Sequence, residues 1–179
     1  MENYLTHQRE HVFGNVAVLI FVFDIESREF QTDVVNYTNV IRALRDSSPK
    51  AKVFCLIHKM DLVQVQLRVR LFEERSEHIR SAAEEYGLNV DFFPTSIWDQ
   101  SLYRGWTQII YYLIPNSSQI ENLLQRLAEA IDARELIVYE RTTCLTVTHV
   151  TRGVERGNPN FDRFERISNI LKLQKQSIA

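Results

Sequence analysis

Cysteine is nearly absent from this 179-residue chain, which has Cys55 and Cys144 and no Cys-x-x-Cys spacing. That pair can build neither a zinc ribbon nor a disulfide scaffold, and a reducing, cytosolic compartment fits best. Long apolar runs are missing too. The longest, Val16 to Phe23, is eight residues, against the roughly twenty that a spanning helix needs. Basic excess is also lacking: 21 Lys and Arg face 23 Asp and Glu, a net charge of −2. A dedicated nucleic-acid-binding domain is thereby excluded, because neutralising phosphates takes clustered surplus cations. The N-terminal Met1-Glu2-Asn3-Tyr4 has acid and polar groups where a secretory signal places basic and then apolar residues. The C-terminal Gln176-Ser177-Ile178-Ala179 offers no cysteine for prenylation, so membrane contact is expected to be indirect. With 45% apolar and 25% charged residues, what remains is a soluble globular chain the size of one domain, or of one domain and part of another.

Glycine and proline are few, five and four, so each one punctuates. Val16 to Phe23 is continuously apolar and rich in β-branched and aromatic residues, and it stops at Asp24. That is the pattern of a strand buried on both faces of a parallel sheet. A helical stripe follows, Val34, Tyr37, Val40, Ile41 and Leu44, closed by Ser47-Ser48-Pro49, which cannot continue a helix. Lys52 to Ile57 is a second strand, and a second helix with Phe72, Ile79, Ala83 and Tyr86 on one face ends at Gly87. Asp91 to Thr95 is a short third strand, its Phe92-Phe93 and the nearby Trp98 expected in the core. Ser101 then caps a helix with Leu102, Trp106, Ile109, Ile110 and Leu113 inside, Trp106 under the sheet, stopped by Pro115. Strand and helix thus alternate three times, which predicts an α/β layer with a mainly parallel sheet.

Beyond residue 115 the pattern changes. Ser118-x-x-Glu121 has the form of a capping box opening a helix that turns Ile120, Leu123, Leu124, Leu127 and Ile131 inward. Leu136 to Tyr139 and Cys144 to Thr148 read as a hairpin, Thr151 to Pro159 as a loop, and Phe161, Phe164, Ile167, Ile170 and Leu171 as a final helix. A second domain is expected to begin near residue 120, with little core of its own.

The residues that carry chemistry are His58-Lys59-Met60-Asp61, directly after the second strand, where open α/β sheets bind ligands. A carboxylate placed there accepts from both the ring N1–H and the exocyclic amine of guanine. Adenine offers neither donor in that pattern, and a carboxylate left unpaired by the wrong base is penalised, by roughly 10⁴-fold or more in well-built sites. Asp61 would therefore choose guanine. The Lys59 stem can cover a face of the base while its ammonium reaches backbone carbonyls, and His58 either supports these loops or pairs with backbone at the strand end. A tetrapeptide is weak evidence alone. The second element is Thr95-Ser96-Ile97 at the next strand end, whose amides, those of Ser96 and Ile97 included, can donate to guanine O6.

His58-Lys59-Met60-Asp61-Leu62-Val63 followed by Thr95-Ser96-Ile97-Trp98-Asp99-Gln100-Ser101-Leu102-Tyr103 resembles the base-recognition half of the Rag (Gtr) GTPases, in their RagA/RagB-like branch. Most small GTPases have Asn where this chain has His58 and Ala where it has Ile97. The resemblance spans nearly the whole chain. Met1 to Tyr4 with Gln8-Arg9 is similar to the second switch helix, and Phe161 to Ile170 to the first helix of the roadblock-like dimerisation domain. It implies a fold of α/β class: residues 1–115 as the C-terminal half of a Ras-like P-loop NTPase domain, and residues 116–179 as a linker helix and the start of a roadblock/longin-like α+β domain. It further implies a GTP/GDP switch that hydrolyses GTP, a RagC-like heterodimer partner, a lysosomal or vacuolar scaffold complex at the cytosolic face of that membrane, and amino-acid signalling to the target-of-rapamycin complex.

The phosphate-binding motif is missing. None of the five lysines follows a glycine, as Gly-Lys-[Ser/Thr] requires, and no Asp has Gly three places on, so the family's magnesium-sensing Asp-x-x-Gly is absent. The expectation is a chain shortened at both ends, with GTP or GDP bound weakly or not at all, no magnesium ligands and no hydrolysis by itself. The alternative is a nucleotide-independent module that competes for Rag-family partners.

Two other constellations are weaker. His7-Gln8-Arg9-Glu10-His11 matches a zinc pattern but lacks an evident third ligand, and a solvated helix face explains it better. Ser96, Asp99 and His149 contain hydrolase residue types without the Gly-x-Ser-x-Gly elbow that presents a nucleophile.

Overall fold

The computed structural model describes residues 12–152 and 161–178, with the backbone alone for 161–165 and 178. They fall into two compact units, one through Ser101 and one from Leu102.

The first unit is the expected α/β layer. β1 (Val18–Asp24), β2 (Lys52–His58) and β3 (Val90–Pro94) form one sheet in the order β1-β2-β3, and both pairings are parallel. α1 (Phe30–Ser47) joins β1 to β2, and α2 (Val65–Ala83) joins β2 to β3. The central strand is buried from Lys52 to Ile57. A lysine tolerates that position because its Nζ donates to Asn89 Oδ1 at 2.5 Å and lies 2.9 Å from Asp91 Oδ2, so the charge is paired where it leaves water.

The α1 stripe is buried as its spacing predicts, with Tyr37, Ile41 and Leu44 fully enclosed. Tyr37 packs edge-on against Phe21 and Phe23. Burial pushes the Cys55 thiol up to about 12, so Cys55 behaves as a small apolar residue of the core. After α2 a single 3-10 turn, Glu84–Tyr86, ends at Gly87, whose φ of 60° is a left-handed cap. A Cβ there would meet nothing within 4 Å, so it is the backbone conformation that calls for glycine.

Three expectations fail in this unit. β1 is half-buried rather than enclosed on both faces, with Val22 54% exposed, because it is an edge strand among the described residues. Phe92 and Phe93 are half-buried for the same reason at the opposite edge. Trp98 is 80% exposed and belongs to the loop surface instead of the core.

The second unit contains α3 (Ser101–Leu113), α4 (Ser117–Ala130), the antiparallel pair β4 (Glu135–Tyr139) and β5 (Thr146–Thr151), and α5 (Phe161–Ile178). Polar bonds hold much of it. Tyr103 Oη and Thr146 Oγ1 are 2.7 Å apart, Thr148 Oγ1 donates to Glu121 Oε1 at 3.1 Å, and Ser168 Oγ donates to the Cys144 carbonyl at 2.5 Å. The capping box does not form: the helix starts two residues early, after Asn116 at φ 59°, with no side-chain cap, and Glu121 serves Thr148 instead. The apolar stripe of α4 is not inside. Leu123, Leu127 and Ile131 are 62%, 48% and 59% exposed while Ala128 is buried, since two short strands cannot cover so wide a stripe. Trp106 is 36% exposed, not buried. The Thr151–Pro159 loop lies mostly outside the described residues, as does the whole segment before Val12.

The β4–β5 connection is closed by one carboxylate. Glu140 accepts from the amides of Thr142 and Thr143, at 2.8 and 2.6 Å, and from the Thr143 hydroxyl. These donors hold its carboxyl down to about 2, below the ordinary 4.5. A depressed carboxyl stabilises the folded turn above its unfolded value and loses that contribution as pH falls through the folded one. The Thr142 and Thr143 amide resonances should therefore titrate near pH 2. A midpoint near 4.5 would show that Glu140 does not close the turn.

Candidate functional site

The candidate residues sit on two loops that leave the sheet at the C-terminal ends of β2 and β3, which end at His58 and Pro94. Lys59 turns the chain out of β2 by adopting φ 63°, a left-handed conformation uncommon outside glycine. A single 3-10 turn follows, Met60–Leu62, which carries Asp61, with Met60 buried beneath it. From the other loop Thr95 and Ser96 are both fully buried.

Hydrogen bonds stitch the loops together. Thr95 N donates to Ile57 O at 2.9 Å, and Met60 N donates to Thr95 O at 3.2 Å. His58 Nδ1 and Thr95 Oγ1 share a bond of 3.0 Å, and Ser96 Oγ donates to Asp61 Oδ1 at 2.5 Å. Behind them the Arg68 guanidinium donates to Val63 O and Asp61 O, at 2.9 and 3.2 Å, and pins the back of the 3-10 turn. The Asp61 carboxylate is thus aimed at the Ser96 loop. One oxygen is anchored, and an ionised carboxylate retains further acceptor positions for a ligand.

The loop amides are not equivalent. Thr95 N is taken by Ile57, Ser96 N donates to Ser101 Oγ at 2.8 Å, and Trp98 N donates to Ser96 Oγ at 3.0 Å. Ser101 is held in turn by Asp99, whose Oδ1 accepts both its amide, at 2.8 Å, and its hydroxyl, so Ser101 buttresses the loop rather than capping α3 by itself. Ile97 N–H, between two bonded amides, has no such partner among the described residues and is left for a ligand. Ile97 and Leu62 are 64% and 54% exposed, leaving apolar surface on both loops.

Of the five residues singled out in the sequence, the structure brings His58, Asp61 and Ser96 into one bonded network, with Ile97 next to it. Lys59 does something different. Its ammonium reaches no backbone carbonyl but the Asp24 carboxylate, 2.5 Å away at the end of β1. The hydrogen bond from Lys59 holds the Asp24 carboxyl below its usual range, and Asp24 raises the Lys59 ammonium in return. Asp24 is the residue that sequence reasoning missed, and Thr95, named there for its amide alone, contributes its hydroxyl and its carbonyl. Asp24 ends its strand in register with His58, and the acid that stops an apolar strand was the signal available.

The zinc pattern at His7 to His11 lies outside the described residues. Among the described residues no group of three or more His, Cys, Asp or Glu side chains converges as metal ligands, and no helix is long and apolar enough to cross a membrane. The Ser96 hydroxyl directs its hydrogen bond to Asp61, an arrangement for positioning a carboxylate rather than for nucleophilic attack.

Residues 1–171 match the model of the Gtr1/RagA G protein conserved region. The chain belongs to the Gtr1/RagA family. It is 48% identical over its full length to the GTP-binding protein gtr1 of Schizosaccharomyces pombe, of which it covers 57%. It is 47% identical over its full length to the Ras-related GTP-binding protein B of Rattus norvegicus, covering 46% of that protein. The chain spans about half the length of these curated relatives. A more distant relative is the GTP-binding protein GTR2 of Saccharomyces cerevisiae, 28% identical over 153 residues, which are 84% of this chain and 45% of that one. The family therefore has a second, Gtr2-like branch.

Removing the Ser96 hydroxyl leaves a carboxylate and the Trp98 amide without their partner. Ser96→Ala should lower stability in urea denaturation by about 1–3 kcal/mol, and Asp61→Asn, which keeps an acceptor, by less. A Ser96→Ala protein as stable as its parent would show that this hydroxyl does not hold the site.

Proposed function

We propose that this chain is the base-recognition half of a Rag-type GTP/GDP switch acting in amino-acid signalling to the target-of-rapamycin complex. The observation that carries the reading is the Asp61 carboxylate anchored by Ser96, whose neighbour Ile97 keeps an unbonded amide. Asp61 accepts from guanine N1–H and the 2-amino group, and Ile97 N–H donates to O6. The exposed Ile97 and Leu62 side chains and the Lys59 stem supply apolar surface for the planar base. His58 and Thr95 brace the two loops.

Residues 1–115 make up the C-terminal half of the Ras-like domain and residues 116–179 a linker helix and the beginning of a roadblock-like dimerisation domain. The partner is a RagC-like GTPase, in keeping with the Gtr2-like branch of relatives, and the assembly works on a scaffold at the cytosolic face of the vacuolar or lysosomal membrane. Magnesium does not fit the residues present, since these 179 residues contain neither Gly-Lys-[Ser/Thr] nor Asp-x-x-Gly. Charge-assisted phosphate contacts contribute about 1.5–3 kcal/mol each, so a polypeptide of these residues alone binds guanine nucleotide weakly and does not hydrolyse it. A second reading, a module that engages Rag-family partners without nucleotide, is favoured by the exposed Leu123, Leu127 and Ile131 stripe on α4.

Titration of isotope-labelled protein with GMP, IMP and AMP separates the two. GMP should shift the Asp61, Ser96 and Ile97 amides, IMP, which lacks the 2-amino group, should do so more weakly, and AMP should leave them unmoved. Equal responses to GMP and AMP would overturn base reading by Asp61. Submicromolar GDP binding would overturn the predicted weakness.

A further inference from the structure

α2 and the free edge of β3 enclose a cleft of about 570 Å³ on the first unit. Three observations meet there. The first is charge: Glu73, Glu74, Glu77 and Asp91 line it against the single guanidinium of Arg80. Arg80 is bonded to Glu77 at 2.7 Å and lies over the Phe92 ring, and Lys52 pairs with Asp91 from beneath the strand, so the cleft stays acidic. The second is Ser76, which lines the same cleft. It is 5% exposed, and its Oγ has no hydrogen-bond partner among the described residues. Such a buried hydroxyl is costly unless something supplies a partner.

The third is the strand edge. β3 pairs with β2 alone among the described residues. Val53 N donates to Asn89 O, and Thr95 N to Ile57 O, so alternate residues from 89 to 95 face β2. Val90 and Phe92 between them direct their N–H and C=O groups outward. Pro94, which has no N–H, closes the row of donors.

We propose that this cleft receives an extended peptide with Arg or Lys at alternate positions, which adds to β3 as a further strand. Main-chain bonds to Val90 and Phe92 hold the peptide. Side chains two residues apart point to one face, which brings the alternate cations over the α2 carboxylates, and a donor from the peptide satisfies Ser76. Nothing in this inference depends on nucleotide.

The test is fluorescence anisotropy of the full 179-residue chain with a labelled ten-residue Arg-Thr repeat peptide. The comparison peptide has the same sequence with alternate backbone nitrogens methylated. N-methylation should weaken binding by about tenfold, and so should the triple substitution Glu73→Gln, Glu74→Gln and Glu77→Gln. Ser76→Ala should weaken binding by about threefold while leaving the melting temperature equal or higher, because it deletes an unpartnered hydroxyl. Undiminished binding of the methylated peptide, or spermine displacing the parent peptide at equal charge concentration, would reduce the effect to simple charge attraction and overturn the proposal. Unchanged affinity in the triple variant would overturn it equally.

Discussion

The site depends on two buried hydroxyl residues, Thr95 and Ser96, that lock the ends of β2 and β3 to each other. Strand ends are where a sheet stops constraining its chain, and loops that leave it are free to splay. Here both peptide groups of Thr95 are used across the junction, its side chain meets His58, and the next hydroxyl meets Asp61. The carboxylate is consequently aimed before any ligand arrives, and the ordering cost of binding has been met in folding. Lys59 completes the arrangement by accepting a left-handed backbone so that Asp61 can stand up from the strand end.

The alternation of apolar runs and helical stripes made the first unit legible, because a parallel sheet covered by helices demands that pattern. It also put Asp61 and Ser96 just beyond the ends of β2 and β3, since a strand's C-terminal end follows directly from where its apolar run stops. What could not be read was which polar groups satisfy one another. The Ser96 amide looked free to meet a ligand and is in fact given to Ser101, and the Lys59 ammonium looked bound for carbonyls and reaches Asp24. The Lys59 partner, 35 residues away, leaves no local periodicity.

Burial was misjudged where elements lie at an edge or on a small core. Val22, Trp98 and Leu123 are all apolar, and periodicity alone puts them inside. Each is exposed because the described structure provides nothing to cover it: an outer neighbour for β1, a core beneath the loop, a sheet wide enough for α4. Apolar patterning reports which face would be buried, while the area available for burial is set by the number of layers around it. The second unit compensates with polar links, Tyr103 to Thr146 and Ser168 to Cys144 among them.

The central claim is that Asp61 reads the Watson–Crick edge of guanine, and exchange of its hydrogen-bonding character tests this most directly. Xanthine presents a carbonyl where guanine has its 2-amino group, so an amide at position 61 can donate to it while still accepting from N1–H. Amide-shift titrations of the parent and of Asp61→Asn with guanosine and xanthosine monophosphates should show the preference reversing, guanosine for the parent and xanthosine for the variant. The same preference in both proteins, whichever base it favoured, would contradict the account.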